Sequence, residues 1–235
     1  VPIVDCNNRV FCVASPPPSN EDWKDVNAEA ASALERERDG SPQHQGLKLN
    51  EVHRRGRFCP RNKRSVAVYA GMCRFIFTVS TAKAVKRLLS NKSFVRIAGH
   101  ALAIFATWAP KLYQFYADYM DKITENNPSI YFNFSNSIFA AATFNFGPQT
   151  VAVEDLDHLN YIYGWCGITA LGEYDYTKGG HLILWDLRMV IEFPPGWTIL
   201  IPSSYLRHGN TAIAPDEKRF SFTQYTSGSL FRYAD

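Results

Sequence analysis

The spacing of apolar positions changes character along this chain. Short apolar segments at 1–4 and 10–13 end at Ser15-Pro16-Pro17-Pro18-Ser19, a turn or extended linker. Asp22, Trp23 and the alanine-rich run over 28–34 predict a helix that stops near Asp39-Gly40. Two short strands are expected over 65–69 and 75–79. A helical middle follows: 81–89 with lysine and arginine on its open face, an apolar helix over 94–108, and a third opened by Pro110 and running to about 123. Asn126-Asn127-Pro128 breaks it. The aromatics Phe105, Trp108, Tyr113, Phe115, Tyr116 and Tyr119 read as core or helix–sheet contacts, not as a base-stacking ladder. From 138 onward, β-rich runs recur between Gly, Pro and Asn: 138–146, 150–153, 161–171, 181–185, 189–193, 198–201 and 219–226. Seven such strands fit a sandwich or jelly roll. The expected fold class is α+β, a double-stranded β-helix (jelly roll) core with helices packed outside. It forms a single domain over 1–235, divided into a helical and basic elaboration at 1–132 and a jelly-roll core at 133–235.

Composition narrows the class. With 46% hydrophobic and 20% charged residues the chain is globular, not disordered. Five irregularly placed cysteines form neither a disulfide framework nor a zinc-binding repeat, so a reducing compartment is expected. The longest apolar stretch, over 101–109, is about half the ~20 residues that span a bilayer, and nothing near residue 1 reads as a signal peptide. A monomer with no membrane partner is expected.

Charge is unevenly laid out. Residues 48–96 hold thirteen basic residues against Glu51 alone, a window of +12 in a chain of net charge +3, which leaves the remainder at −9. Such a dipole orients a polyanion. The densest part, His53 to Arg64, mixes Arg54, Arg55, Arg57, Arg61, Lys63 and Arg64 with Gly and Pro, as a loop following a phosphate backbone would. The same run also fits a solvated loop or a nuclear localisation signal.

Three features carry chemistry. Glu154-Asp155-Leu156-Asp157-His158-Leu159-Asn160 follows a predicted strand, and residues two apart on an extended chain point the same way, so Asp155 and Asp157 can converge. Leu206-Arg207-His208-Gly209-Asn210 follows the strand over 198–201. Arg219-Phe220-Ser221 begins eleven residues beyond His208. Singly, each has a structural explanation: a turn cap, a strand-end histidine, a surface ion pair. His181 in Gly179-Gly180-His181 reads as a strand start. In order and spacing together they match non-haem iron oxygenases that use 2-oxoglutarate, where three protein ligands leave open sites on Fe(II) and an arginine fork grips a carboxylate.

A longer pattern resembles one family. Phe144-Asn145-Phe146-Gly147-Pro148-Gln149-Thr150, Tyr163-Gly164-Trp165-Cys166, Thr169-Ala170-Leu171-Gly172, Gly179-Gly180-His181-Leu182-Ile183-Leu184-Trp185-Asp186-Leu187, Phe193-Pro194-Pro195-Gly196 and Ser221-Phe222-Thr223-Gln224-Tyr225 resemble the TET/JBP oxygenases that expanded with transposons in mushroom-forming fungi. The resemblance runs from about 133 to 233, with a looser echo at 3–5 and 94–116. It implies an Fe(II)- and 2-oxoglutarate-dependent nuclear dioxygenase that oxidises the methyl group of 5-methylcytosine in double-stranded DNA, after flipping the base. N6-methyladenine is the alternative substrate. By motif position, Asp155, Asp157 and His208 are the metal ligands, and Arg219 and Ser221 hold 2-oxoglutarate. Asn160 hydrogen-bonds the flipped base, Tyr225 stacks on it and Gln224 is a pocket candidate. The basic loop would sit on phosphates.

One position departs from the family. Asp155 stands where histidine is expected, which makes a bare Fe(II) site neutral instead of +1 and favours harder cations. Two adjacent carboxylates without metal repel, and one then holds a proton. His158 would face the other way on an extended strand. A catalytically inactive DNA-binding pseudo-enzyme is therefore the second reading.

Overall fold

The computed structural model describes residues 1–20, 22–40, 57–58, 67–71, 79–127, 130–149, 151–152 and 154–234. In chain order the elements are β1 (Pro2–Val4), β2 (Val10–Ser15), α1 (Trp23–Asp39), β3 (Arg57–Phe58), β4 (Ala67–Gly71), α2 (Val79–Ser90), α3 (Lys92–Trp108) and α4 (Pro110–Asn126). There follow β5 (Ala141–Asn145), β6 (Val151–Ala152), β7 (Cys166–Glu173), β8 (Leu182–Leu184), β9 (Met189–Ile191), β10 (Thr198–Ile201), β11 (His208–Asn210), β12 (Lys218–Tyr225) and α5 (Gly228–Ala234). A seven-stranded sheet runs β1-β2-β10-β7-β12-β5-β4, a smaller one runs β11-β8-β9, and β3 pairs with β6. All these pairings are antiparallel.

The architecture follows from side chains alternating across the large sheet. On β12, Phe220 and Phe222 join the helix-side core with Phe94, Ile97 and Leu34. Arg219, Ser221 and Thr223 line a cleft on the other face, and Tyr225 joins the core between the sheets. Strand β7 sends Cys166, Ile168 and Ala170 to meet Leu182 and Leu184 of the small sheet, and Leu171 to the helices. Nearly every β12 residue is buried because helices cover one face and the small sheet the other. The result is a jelly roll with helices packed outside. The segment before residue 133 also supplies β1, β2 and β4 to the large sheet.

The helices form where periodicity places them. Trp23, Val26, Ala30, Ala33 and Leu34 bury one face of α1. Asn91 caps α3 by accepting from the Ser93 amide at 2.9 Å, and Pro110 opens α4. Phe105 and Tyr116 are fully buried with ring centroids 5.3 Å apart, as the core reading required; Trp108 is 41% exposed at the end of α3. Sequence pattern did not reveal α5, whose Phe231 lies 5.2 Å from Phe115 and 4.4 Å from Tyr161. The expected strand over 75–79 falls outside the described residues except Val79, which starts α2. Among the described residues, no helix is long and apolar enough to cross a membrane.

Candidate functional site

A narrow cleft opens between the two sheets and is lined by Asp155, Asp157, His208, Arg219 and Ser221, together with Asn145, Asn210 and Thr223. The two proposed halves of the chemistry thus share one cavity.

At one end, Asp155 and His208 lie opposite each other. The Asp155 amide donates to the His208 carbonyl at 2.8 Å and the His208 amide returns the bond at 2.9 Å. This isolated bridge puts both side chains on the same face. His208 opens β11, held to β8 through its register with Leu184. Its Nδ1 is 3.0 Å from the Leu206 carbonyl, and since a carbonyl only accepts, the proton sits on Nδ1 and Nε2 offers a lone pair. Asp157 sits in a turn: its amide donates to the Ser203 carbonyl at 3.0 Å, and its carbonyl accepts from the Asn160 amide at 2.8 Å. Both aspartates are half-buried. Outside this end, Arg207 donates to Asp186 at 2.7 Å and Glu154 at 2.9 Å, tying together the segments that carry Asp155 and His208.

At the other end, Arg219 is 5% exposed, its Nε has no hydrogen-bond partner, and among the described residues it forms no ion pair. Its guanidinium carbon lies 5.9 Å from the Tyr174 ring centroid. Burial pushes the Tyr174 hydroxyl above the ordinary phenol range, and the Arg219 charge opposes that shift. The hydroxyl donates to the Phe193 carbonyl. Two glycines make room for the arginine. Gly147 has φ +45°, and a Cβ there would lie 2.4 Å from the Arg219 carbonyl oxygen. At Gly180, φ +71°, a Cβ would meet the Tyr174 ring at 2.6 Å and the Arg219 Cδ at 3.2 Å. Ser221, two residues on along the same face, accepts from Asn145 Nδ2 at 2.8 Å.

The remaining expected residues are placed differently. Asn160 donates through Nδ2 to Asp157 Oδ2 at 3.3 Å and to Ser203 Oγ at 3.1 Å. Tyr225 shares the Arg219 face but is 8% exposed in the core between the sheets, with its hydroxyl 3.5 Å from Thr143 Oγ1. Gln224 lies on the opposite face of β12, where Oε1 accepts from Ser137 at 2.8 Å, so it does not line the cleft. Arg54, Arg55, Arg61, Lys63 and Arg64 lie outside the described residues. Arg57 is described through its backbone, which pairs with Ala152 on the cleft wall. Asn145 and the Arg207 clamp were not legible as site residues, because only strand register and loop packing bring them there. The buried thiols are not candidates for chemistry: burial pushes Cys12 up to about 12 and Cys166 higher.

The residues fit the implied groups in kind. A buried guanidinium with no anionic partner among the described residues suits a carboxylate, and two carboxylates with an imidazole suit a divalent cation. In position the end expected to hold a metal is less complete: among the described residues, no three His, Cys, Asp or Glu side chains close on a common point as a metal-holding group.

No family model and no curated protein matches the sequence. Among solved structures, NgTET1 in complex with 5mC DNA aligns with a TM-score of 0.65 at 12% identity, over 95% of this chain and 74% of that one. A prolyl-4-hydroxylase of Pseudomonas putida aligns at 0.44 with 12% identity, covering 92% of each chain. A Trichoplax adhaerens prolyl hydroxylase in complex with a hypoxia-inducible-factor peptide aligns at 0.42 with 8% identity, over 96% and 87%. The first of these likenesses shows a shared fold.

Proposed function

We propose that this protein is an Fe(II)- and 2-oxoglutarate-dependent dioxygenase that oxidises the methyl group of 5-methylcytosine in nuclear DNA after flipping the base. We place it with the transposon-associated fungal TET/JBP group. The observation that carries the reading is the single cleft lined by Asp155, Asp157 and His208 at one end and, at the other, by Ser221 and the buried Arg219, which has no ion-pair partner among the described residues. Asp155, Asp157 and His208 would hold Fe(II), which when bound would supply oxygen activation coupled to decarboxylation of the 2-oxo acid.

The chain's own residues do the rest. Arg219 and Ser221 fix the remote carboxylate in a low-dielectric wall, where a charge-assisted hydrogen bond is strong. The Leu206 carbonyl holds His208 in the tautomer that offers Nε2. Asn160 engages its amide nitrogen with Asp157 and Ser203, leaving Oδ1 to accept from the exocyclic amino group of a flipped base. Tyr225 is assigned to the floor beneath that base. The segment over 156–163 exposes Leu156, Leu159, Ile162 and Tyr163, and the neighbouring turn exposes Tyr205, an apolar rim suited to a large substrate. The basic segment supports a DNA partner because its Arg57 backbone pairs beside the cleft.

Asp155 and the open metal end favour a second reading, a DNA-binding pseudo-enzyme. One experiment separates the two. Protein loaded anaerobically with Fe(II) receives 2-oxoglutarate, air and a duplex containing both 5-methylcytosine and N6-methyladenine, and the nucleosides are then weighed by mass spectrometry. Loss of 5-methylcytosine with gain of its hydroxymethyl product, abolished by Asp157→Ala and His208→Ala, is the expected result. Loss of N6-methyladenine alone would reassign the substrate. No product from any methylated base, with DNA affinity retained in both alanine variants, would establish the pseudo-enzyme.

A further inference from the structure

Ser221 is held by a neighbour that neither spacing nor motif pointed to. Asn145 ends β5, Ser221 lies within β12, and the two are register partners across the antiparallel pair. Both are buried, at 5% and 9% exposure, and both line the cleft. The Asn145 amide nitrogen donates to Ser221 Oγ at 2.8 Å. A hydroxyl has one proton and two acceptor lone pairs. With a lone pair occupied by Asn145, rotation about the Ser221 Cβ–Oγ bond is restricted and its proton turns elsewhere. Among the described residues no oxygen accepts that proton, and the cleft wall it belongs to also carries Arg219, two residues back on the same face.

We infer that Asn145 is a positioning residue for the 2-oxo acid: by donating to Ser221 Oγ it sets the serine hydroxyl as a donor, aimed with Arg219 at the distal carboxylate. The inference rests on the proposed function only in requiring that the cleft takes a dicarboxylic 2-oxo acid. It further assigns specificity to Asn145. The residue strengthens binding of acids with a distal carboxylate and is indifferent to those without one.

The test is calorimetric titration of the full chain, under argon with Mn(II), using 2-oxoglutarate and 2-oxopentanoate, which has the same carbon chain without the distal carboxylate. Asn145→Leu removes the donor at similar volume. It should raise the Kd for 2-oxoglutarate about fivefold to tenfold, the scale of one hydrogen bond, and leave 2-oxopentanoate unchanged. In a Ser221→Ala background the same substitution should change the Kd by less than about twofold, because the group it acts through is gone. Asn145→Asp should weaken binding further, since a carboxylate captures the serine proton and repels the ligand. Circular dichroism melts check the fold, and Asn145→Ala is read in the same cycle if Asn145→Leu does not fold. Additive losses in the Ser221→Ala background, or equal losses for both acids, would overturn the positioning role while leaving the co-substrate reading intact. Failure of the unmodified protein to bind 2-oxoglutarate would overturn both.

Discussion

The two ends of the cleft are built by different means. Arg219 and Ser221 sit inside an eight-residue strand paired on both sides, β7 on one and β5 on the other. Glycines, a tyrosine ring and Asn145 fix their side chains. Asp155, Asp157 and His208 come from an isolated bridge, a turn and the first residue of a three-residue strand. A position inside a sheet is defined by every neighbouring bond, whereas a turn is defined by a few. On the proposed function, the end assigned to the carboxylate is therefore preorganised, and the end assigned to the metal, where Asp155 stands in place of the expected histidine, can adjust when a cation draws its donors together. Breaking one end should leave the other's properties largely in place.

The largest effect belongs to Arg219. Arg219→Met keeps much of the buried volume and removes the charge. Binding of 2-oxoglutarate should fall by more than about 100-fold, the scale for a buried charged hydrogen-bonded contact. The ligand-free protein should melt at an unchanged or higher temperature, because a buried charge with no anionic partner among the described residues is a cost to the fold. Calorimetry and thermal melts read the two effects separately. A large fall in melting temperature would show that the guanidinium carries the fold and is not held open for a ligand.

Next in size is the metal end. Asp155→His restores an imidazole and should shift selectivity from Mn(II) toward Co(II) by about tenfold, since carboxylates suit harder cations and imidazole the later transition metals. Asp157→Ala should lose both metals. Competition titrations in anaerobic buffer measure this. Unchanged selectivity would place residue 155 outside the ligand set. The carboxylate-binding end predicts the contrast: Asp155→His should change the 2-oxoglutarate Kd only through the metal.

The sequence disclosed these two ends unequally. Order and spacing picked out Arg219 and Ser221, which alternation along β12 puts on one face, and the same alternation turns Gln224 away toward Ser137, which motif position alone did not reveal. The helices over 23–39, 92–108 and 110–126 were legible to within a few residues at their ends because apolar spacing and the Asp39-Gly40 and Pro110 signals agree. Strand β11 was not, because three residues around a glycine have no period to read. Asn145 and Tyr174 escaped for a different reason. Their roles depend on which strands are neighbours, and that is a property of the whole sheet.

A smaller effect tests the clamp over the metal end. Arg207 bonds Asp186 and Glu154, all three partly exposed, so the ion pairs contribute little to global stability and are weakened by salt. Arg207→Met should lower the melting temperature by about 1–2 °C at low salt and by less at high salt. Its local effect should be larger at the metal end. Amide exchange should quicken at Asp155 and His208, whose mutual backbone bonds the clamp braces, and stay unchanged along β12. Equal quickening at both ends would dissolve the distinction between them.

The smallest effect is an acid-sensitive turn next to Tyr174. Lys178 bonds the Asp175 carboxylate at 2.7 Å, and Thr177 donates to it through both hydroxyl and amide, which holds its pKa down to about 2. A depressed carboxylate pKa means that the unfolded chain binds the proton more readily than the folded one. The contribution is therefore complete above the ordinary aspartate value of 3.8 and is lost as the pH falls from there toward 2. Asp175→Asn should flatten that part of the stability–pH curve and lower neutral-pH stability by the same small amount, because the group is partly exposed and solvent screens its interactions. Chemical denaturation at a series of pH values measures it. The turn also lies beside the end that carries Arg219, since the Asp175 amide donates to Glu217 at 2.6 Å and Tyr174 precedes it. An acid transition that loosened Arg219 along with Asp175 would show that this end draws part of its rigidity from an exposed turn, which narrows the difference between the two ends to one of degree.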